Sequence, residues 1–182
     1  MKGFFAFIFD LAKVVLIAAV IIVPIRYFLV QPFFVKGASM EPNFVDGEYL
    51  LIDEISYRLG EPQRGEVIVF RYPLDPVEFY IKRVVGLPGE TVEVTGGHVI
   101  IYNQQNPQGL TLRESYLPGN GFTPEEGRYV LGGDQYYVLG DNRSASFDSR
   151  KWGPLKKEYI IGRAWLRAWP IAQAGVVPEP SY

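Results

Sequence analysis

Ser39 sits in the stretch Val35-Lys36-Gly37-Ala38-Ser39-Met40-Glu41-Pro42, directly after a long apolar run. Gly37 and Ala38 leave the backbone around it open to close approach by a substrate carbonyl. Pro42 biases Glu41 away from helix, so the serine is expected on a loop or strand end. A serine hydroxyl becomes a useful nucleophile only when a base takes its proton. The one histidine of the chain, His98, follows Gly96-Gly97 in what reads as a hairpin turn, and is expected to be exposed and uninvolved. Another candidate base is Lys82, in the middle of Phe79-Tyr80-Ile81-Lys82-Arg83-Val84-Val85-Gly86, a strand by its β-branched and aromatic content. In a strand Tyr80, Lys82 and Val84 share one face, and Ile81, Arg83 and Val85 the other. An ammonium among such neighbours is desolvated, its pKa falls, and the neutral amine can accept a serine proton. On the residues alone the favoured reading is a strand-edge lysine with its head in water.

The elements that must position these groups are mostly strands. Glu48–Ile52 and Glu66–Phe70 are strand-like runs, the second preceded by a turn at Pro62-Gln63-Arg64-Gly65. Leu87-Pro88-Gly89-Glu90 is a turn, and Thr91–Thr95 and His98–Tyr102 flank Gly96-Gly97 as a hairpin. Asn103 to Gly127 is rich in Asn, Gln, Gly and Pro and is expected to be a long, mobile loop. Tyr129–Leu131 and Tyr136–Leu139 flank Gly132-Gly133-Asp134-Gln135, which predicts another hairpin. A dense polar loop, Leu139 to Arg150, follows, and Tyr159–Leu166 is the last strand. Before all of these, Leu11–Val30 is apolar except for Lys13 and Arg26, long enough for a membrane-spanning helix of about 20 residues. Its basic residues lie near the two ends, where they can snorkel, and Pro24 is a place for a kink. Asp10, Lys13 and Pro24-Ile25-Arg26 argue against a cleavable leader. Basic residues flank both ends, so charge does not set the orientation.

Four blocks in order carry a resemblance: Ser39-Met40-x-Pro42, Arg64–Phe70, Lys82–Glu90, and Gly140-Asp141-Asn142-Arg143 with Asp148-Ser149-Arg150. Together they resemble the bacterial type I signal peptidases, membrane-bound Ser-Lys proteases that remove signal peptides. The resemblance implies Ser39 as nucleophile, Lys82 as general base, and Ser146 (with Ser144 its neighbouring competitor) as the hydroxyl that orients the lysine. It implies that Gly140 leaves room for the lysine and that Asp141, Arg83, Asp148 and Arg150 form an ion-pair scaffold. The Ser39 N–H is the first oxyanion donor. Some family members place a hydroxyl two residues earlier; here that position is Gly37, so either a backbone N–H of the Gly37 loop serves instead or the hole is weaker. Phe34, Val35, Ile81 and Val84 are expected to line substrate pockets for an extended peptide. Trp165 and Trp169 are open between core packing and the membrane surface.

The expected fold class is mainly β: a single N-terminal transmembrane helix, then an antiparallel β-sheet catalytic domain with few helices. Residues 1–30 would be the anchor, 31–175 an extracytoplasmic peptidase domain in the cell membrane, and 176–182 a disordered tail. The partners are signal peptides of exported preproteins and the lipid bilayer. Hydrophobic residues make up 48% of the 182-residue chain, concentrated at the N-terminus. A net charge of −2 gives no argument for nucleic acid, the lack of cysteine removes disulfides and thiolate metal sites, and one histidine disfavours an imidazole site. No metal or cofactor is expected. Two other classes were weighed. A self-cleaving Ser-Lys regulator would need a DNA-reading N-terminus, and a non-enzymatic anchored β module would have no reason to bring Ser39 and Lys82 together.

Overall fold

The protein is described here by a computed structural model, which covers residues 2–28, 30–119, 121–178 and 180, with no side chain described for 2, 3, 5, 6 and 21–30. Helix α1 runs Lys2–Phe28. Its described apolar side chains, among them Phe7, Phe9, Val14 and Leu16, are exposed. Among the described residues no helix is long and apolar enough to cross a membrane. The expectations that rest on Pro24 and Arg26 lie outside the described residues.

The body is antiparallel β-structure in two sheets. The larger contains β1 (Val30–Phe34), β2 (Tyr49–Asp53), β3 (Val67–Tyr72), β4 (Asp75–Gly86), β9 (Gln135–Leu139), β10 (Leu155–Lys156), β11 (Ile160–Trp169) and β12 (Gly175–Val176). Its order is β1-β2-β11-β3-β4-β9-β10, with β12 on β11. The smaller, in the order β7-β6-β5-β8, contains β5 (Thr91–Thr95), β6 (His98–Tyr102), β7 (Leu110–Thr111) and β8 (Gly127–Val130). Two short helices, α2 (Ser56–Leu59) and α3 (Ser149–Trp152), complete the set.

The core explains why some strands are apolar throughout and others alternate. β3 is covered on both faces. Val67 and Val69 join Val35, Met40, Leu50 and Ile81 on one side, while Ile68 and Phe70 join Val84, Tyr136 and Val138 on the other. A strand covered twice must be apolar at every position. In the smaller sheet Val92, Val94, Val99 and Ile101, with Tyr129 of β8, turn inward against Val85, Tyr137 and Leu139, so β5 and β6 alternate. β4 changes character along its length: residues 75–79 are exposed and those from Ile81 on are buried. Lys82 lies just inside that transition.

Three expectations are corrected. The Gly132–Gln135 turn does not close a hairpin, because β8 pairs with β5 in the small sheet and β9 pairs with β4 in the large one. Local turn chemistry allows a hairpin there, but the two strands that flank it pair into different sheets. The 103–127 segment is not loose: Leu112 and Leu117 are buried, and Thr123 N–H donates to Gly97 O at 2.8 Å. The tail does not begin as disordered chain at 176. Val176 pairs with Leu166, and Val177 N–H donates to Trp165 O at 3.0 Å.

Candidate active site

Ser39 lies in a turn between β1 and β2, half-buried. The turn is held from several sides. Glu41 N–H donates to Ala38 O at 3.2 Å, Phe44 N–H donates to Met40 O at 2.9 Å, and the buried Met40 and Phe44 fasten it to the core. Asn142 clamps it across the chain: its N–H donates to Ser39 O at 3.0 Å and its Nδ2 to Ala38 O at 3.1 Å. Gly37 has φ of 82°, a conformation that glycine adopts without strain. Its N–H is already taken, donating to Asp46 Oδ1 at 2.7 Å. The expectation that Gly37's own N–H completes an oxyanion hole is therefore corrected. Among the described residues the Ser39 N–H has no partner, so it is open to an incoming oxygen.

Lys82 reaches this turn from β4. Its Nζ lies 2.7 Å from Ser39 Oγ and donates to Ile81 O at 2.8 Å. The side chain is only 4% exposed and passes over the Tyr80 ring, 5.4 Å from its centre. Burial lowers the ammonium pKa, while the carboxylates of Asp148 and Asp141 raise it; the balance is a fall from 10.5 to about 8. An amine of that pKa is neutral for about a tenth of the time at pH 7. With the serine hydroxyl in reach, the neutral amine can take its proton.

Ser146 does not supply the second bond to the lysine. Its Oγ is buried without a hydrogen-bond partner among the described residues, and the Ile81 carbonyl steers Lys82 instead. The hydroxyl lies near enough to Asp148 to help hold that carboxyl down, though without hydrogen-bond geometry. Ser144 is exposed and donates to Asn142 Oδ1 at 3.1 Å. At Gly140 a Cβ would overlap both Ser146 Oγ and the Ser39 carbonyl, so no side chain fits there.

The polar loop is built from ion pairs. Arg83 Nε and Nη2 donate to the two oxygens of Asp141 at 2.8 and 2.5 Å, both residues being buried. Arg150 Nε and Nη2 donate to the two oxygens of Asp148, both at 2.8 Å, and Gly140 N–H donates to Asp148 at 3.0 Å. Burial pushes the Asp148 carboxyl up, but the Arg150 bonds and charge and the Gly140 N–H outweigh it, leaving it below the usual carboxylate range. Bidentate pairs of this kind fix geometry as well as charge.

A cleft of about 590 Å³ opens beside Ser39 and Lys82, lined by Phe34, Tyr80, Ile81, Ala145 and Phe147 among others. Two of the expected pocket residues are not there. Val35 and Val84 are at most 1% exposed. Val35 points into the core with Met40 and Leu50, and Val84 packs with Ile68 and Val138. Strand parity put Val84 on the lysine's face correctly, but β9 and its neighbours cover that part of the face. Trp165 and Trp169 are 41% and 53% exposed, which removes the core alternative. His98 is exposed in the smaller sheet.

The family described as signal peptidase, peptidase S26, matches residues 8–169. The chain belongs to this family. It is a peptide-bond hydrolase, as the block resemblance implied. It is 38% identical to a signal peptidase I of Leptolyngbya laminosa over 182 residues, covering 93% of this chain and 84% of that one. A probable signal peptidase I-2 of Synechocystis is 36% identical over 93% of this chain and 77% of its own length. A signal peptidase IB of Staphylococcus aureus is 31% identical, covering 86% and 87% respectively.

Within this signal peptidase fold, some site residues carry no sequence mark. Asn142 stood in a quoted block, but its double clamp on the Ser39 turn became visible only in three dimensions. Arg143 bonds to both oxygens of Glu114, at 3.0 and 2.5 Å, and to Thr123. It thereby ties the 103–127 segment to the polar loop. Glu114 sits in a stretch without periodicity and gave no signal. The one hint at Asp46 was its place before Gly47, a pairing common in turns.

Proposed function

We propose that this chain is a membrane-anchored serine endopeptidase that cleaves signal peptides from exported preproteins with a Ser39–Lys82 dyad. The observation that carries the reading is the 2.7 Å separation of Lys82 Nζ from Ser39 Oγ around a nearly buried amine. Neutral Lys82 takes the Ser39 proton as Oγ attacks the scissile carbonyl. The tetrahedral oxyanion is met by the free Ser39 N–H and by a second donor other than Gly37 N–H. Lys82 passes its proton to the leaving amine as the acyl-enzyme forms. Regenerated as a free base, it takes a proton from a water that attacks the ester, and it returns that proton to Ser39 Oγ as the ester bond breaks and the signal peptide is released. Ile81 O holds the amine in line, and the Arg83–Asp141 and Arg150–Asp148 pairs keep the surrounding loop in register. The absence of room at Gly140 brings the polar loop onto the Ser39 turn.

An extended peptide would lie in the Phe34–Ile81 cleft, its small side chains near the bond to be cut. The apolar segment within residues 1–30 would cross the membrane once, with the N-terminus inside. The exposed Trp165 and Trp169 would rest at headgroup depth. The test uses the full chain in detergent with a preprotein substrate. Ser39→Ala should abolish cleavage and leave the thermal melt unchanged within a degree or two. Cleavage by a folded Ser39→Ala protein would overturn the reading.

A further inference from the structure

The cleft lined by Phe34 and Ile81 takes its walls from residues before Ser39 in the chain. A second cleft, also of about 590 Å³, meets the same turn from the residues after it. Glu41, Pro42, Asn142 and Ser144 form its near side, and Leu117 and Phe122 the far side. Asn142, which clamps Ala38 and Ser39, stands in the wall between the two clefts. A peptide attacked at Ser39 has chain on both sides of the cut bond. With its acyl half in the first cleft, its leaving half passes Glu41 and Pro42 into the second.

The charges of this second cleft are unequal in what they have to bond. Asp141 is satisfied by Arg83 and by Asn43 Nδ2 at 2.9 Å. Arg143 is satisfied by Glu114. Glu41 is half-buried, lies two residues past Ser39, and its carboxylate has no hydrogen bond or ion pair among the described residues. An unpartnered carboxylate at the side of a cleft gains from a cation brought to it.

We propose that the second cleft holds the leaving segment of the substrate and that Glu41 selects for a basic side chain within its first few residues. This rests on Ser39 being the nucleophile. The apolar far wall takes the body of the segment, and the carboxylate pairs with a lysine or arginine near its start. Glu41 thus acts on specificity for the departing half, separately from the small-residue pockets on the other side.

The experiment compares two peptides identical up to the scissile bond, with lysine or glutamate at the second position after it. They are cleaved by the full chain in detergent. Wild type should favour the lysine peptide by about fivefold in kcat/KM, an exposed-to-half-buried ion-pair effect that shrinks at high salt. Glu41→Gln should bring the ratio to near one, and Glu41→Lys should invert it. A ratio that is the same in all three proteins overturns the assignment and leaves the nucleophile untouched. A second measurement does not need catalysis: fluorescence anisotropy of the labelled leaving segments on the Ser39→Ala protein. Tighter binding of the lysine segment, lost on adding Glu41→Gln, supports the site; equal binding of both segments overturns it. Cleavage by Ser39→Ala would overturn the nucleophile reading alone, and the anisotropy ratio would still decide the role of Glu41.

Discussion

Replacing Lys82 with methionine keeps an unbranched side chain of similar length and removes the amine from its buried site. Its folded pKa of about 8, against 10.5 in an unfolded chain, measures how much the fold disfavours the charge. At about 1.4 kcal/mol per pKa unit, holding the ammonium inside costs about 3 kcal/mol. The sign follows from linkage. The folded pKa is depressed, so this cost is fully present below pH 8 and fades as pH rises towards the unfolded value. Between pH 7 and pH 9 wild type should gain about 1 kcal/mol from this group alone. Lys82→Met has no such group, and all other titrations are common to both proteins. The difference in unfolding free energy between variant and wild type should therefore shrink by about 1 kcal/mol over that range. Urea denaturation followed by tryptophan fluorescence at pH 7, 8 and 9, in the same detergent, measures it. The catalytic counterpart is a rise of about tenfold in wild-type kcat/KM from pH 7 to pH 9, as the neutral fraction grows. Lys82→Arg should be inactive throughout, since its guanidinium stays charged. A stability difference that is flat or widens with pH, or a near wild-type Lys82→Arg enzyme, would refute a desolvated lysine base.

Three further outcomes are expected. Gly140→Ala would drive a methyl into Ser146 and the Ser39 carbonyl; it should lower kcat/KM at least about tenfold and cost about 1–3 kcal/mol of stability, and an unaffected enzyme would contradict the close approach. Asp141→Asn should destabilise by about 3 kcal/mol in urea denaturation, because it leaves a buried guanidinium without its counter-charge; a loss below about 1 kcal/mol would mean that Gly65 O and Tyr116 satisfy Arg83 without it. Carbonate extraction of membranes should leave the full chain in the pellet, and its release would remove residues 1–30 as an anchor.

The strands were legible in the sequence because local patterns decide them. Alternation in β5 and β6, the Gly96-Gly97 turn and the continuous apolar run of β3 each report how many faces are covered, which is a property of the residues themselves. The blocks around Ser39, Lys82 and Gly140 were legible as a family signature for the same reason. The partner on the other side of each face was not legible. Val84 shares the lysine's face, yet only Lys82 borders the cleft, because Ile68, Phe70, Tyr136 and Val138 enclose Val84 while the Ser39 turn stands beside the lysine. The Gly132–Gln135 stretch has turn chemistry for a hairpin, but pairing energy summed over β5 and β4 sends its two strands to different sheets. Asp46 pre-empts the Gly37 N–H, and Ile81 O takes the place expected of Ser146, through contacts that no residue pattern announces. Above all, the proposed base depends on three dimensions. A lysine is an ordinary cation in the sequence, and its pKa falls only once a residue 43 positions away and the surrounding strands exclude water from it.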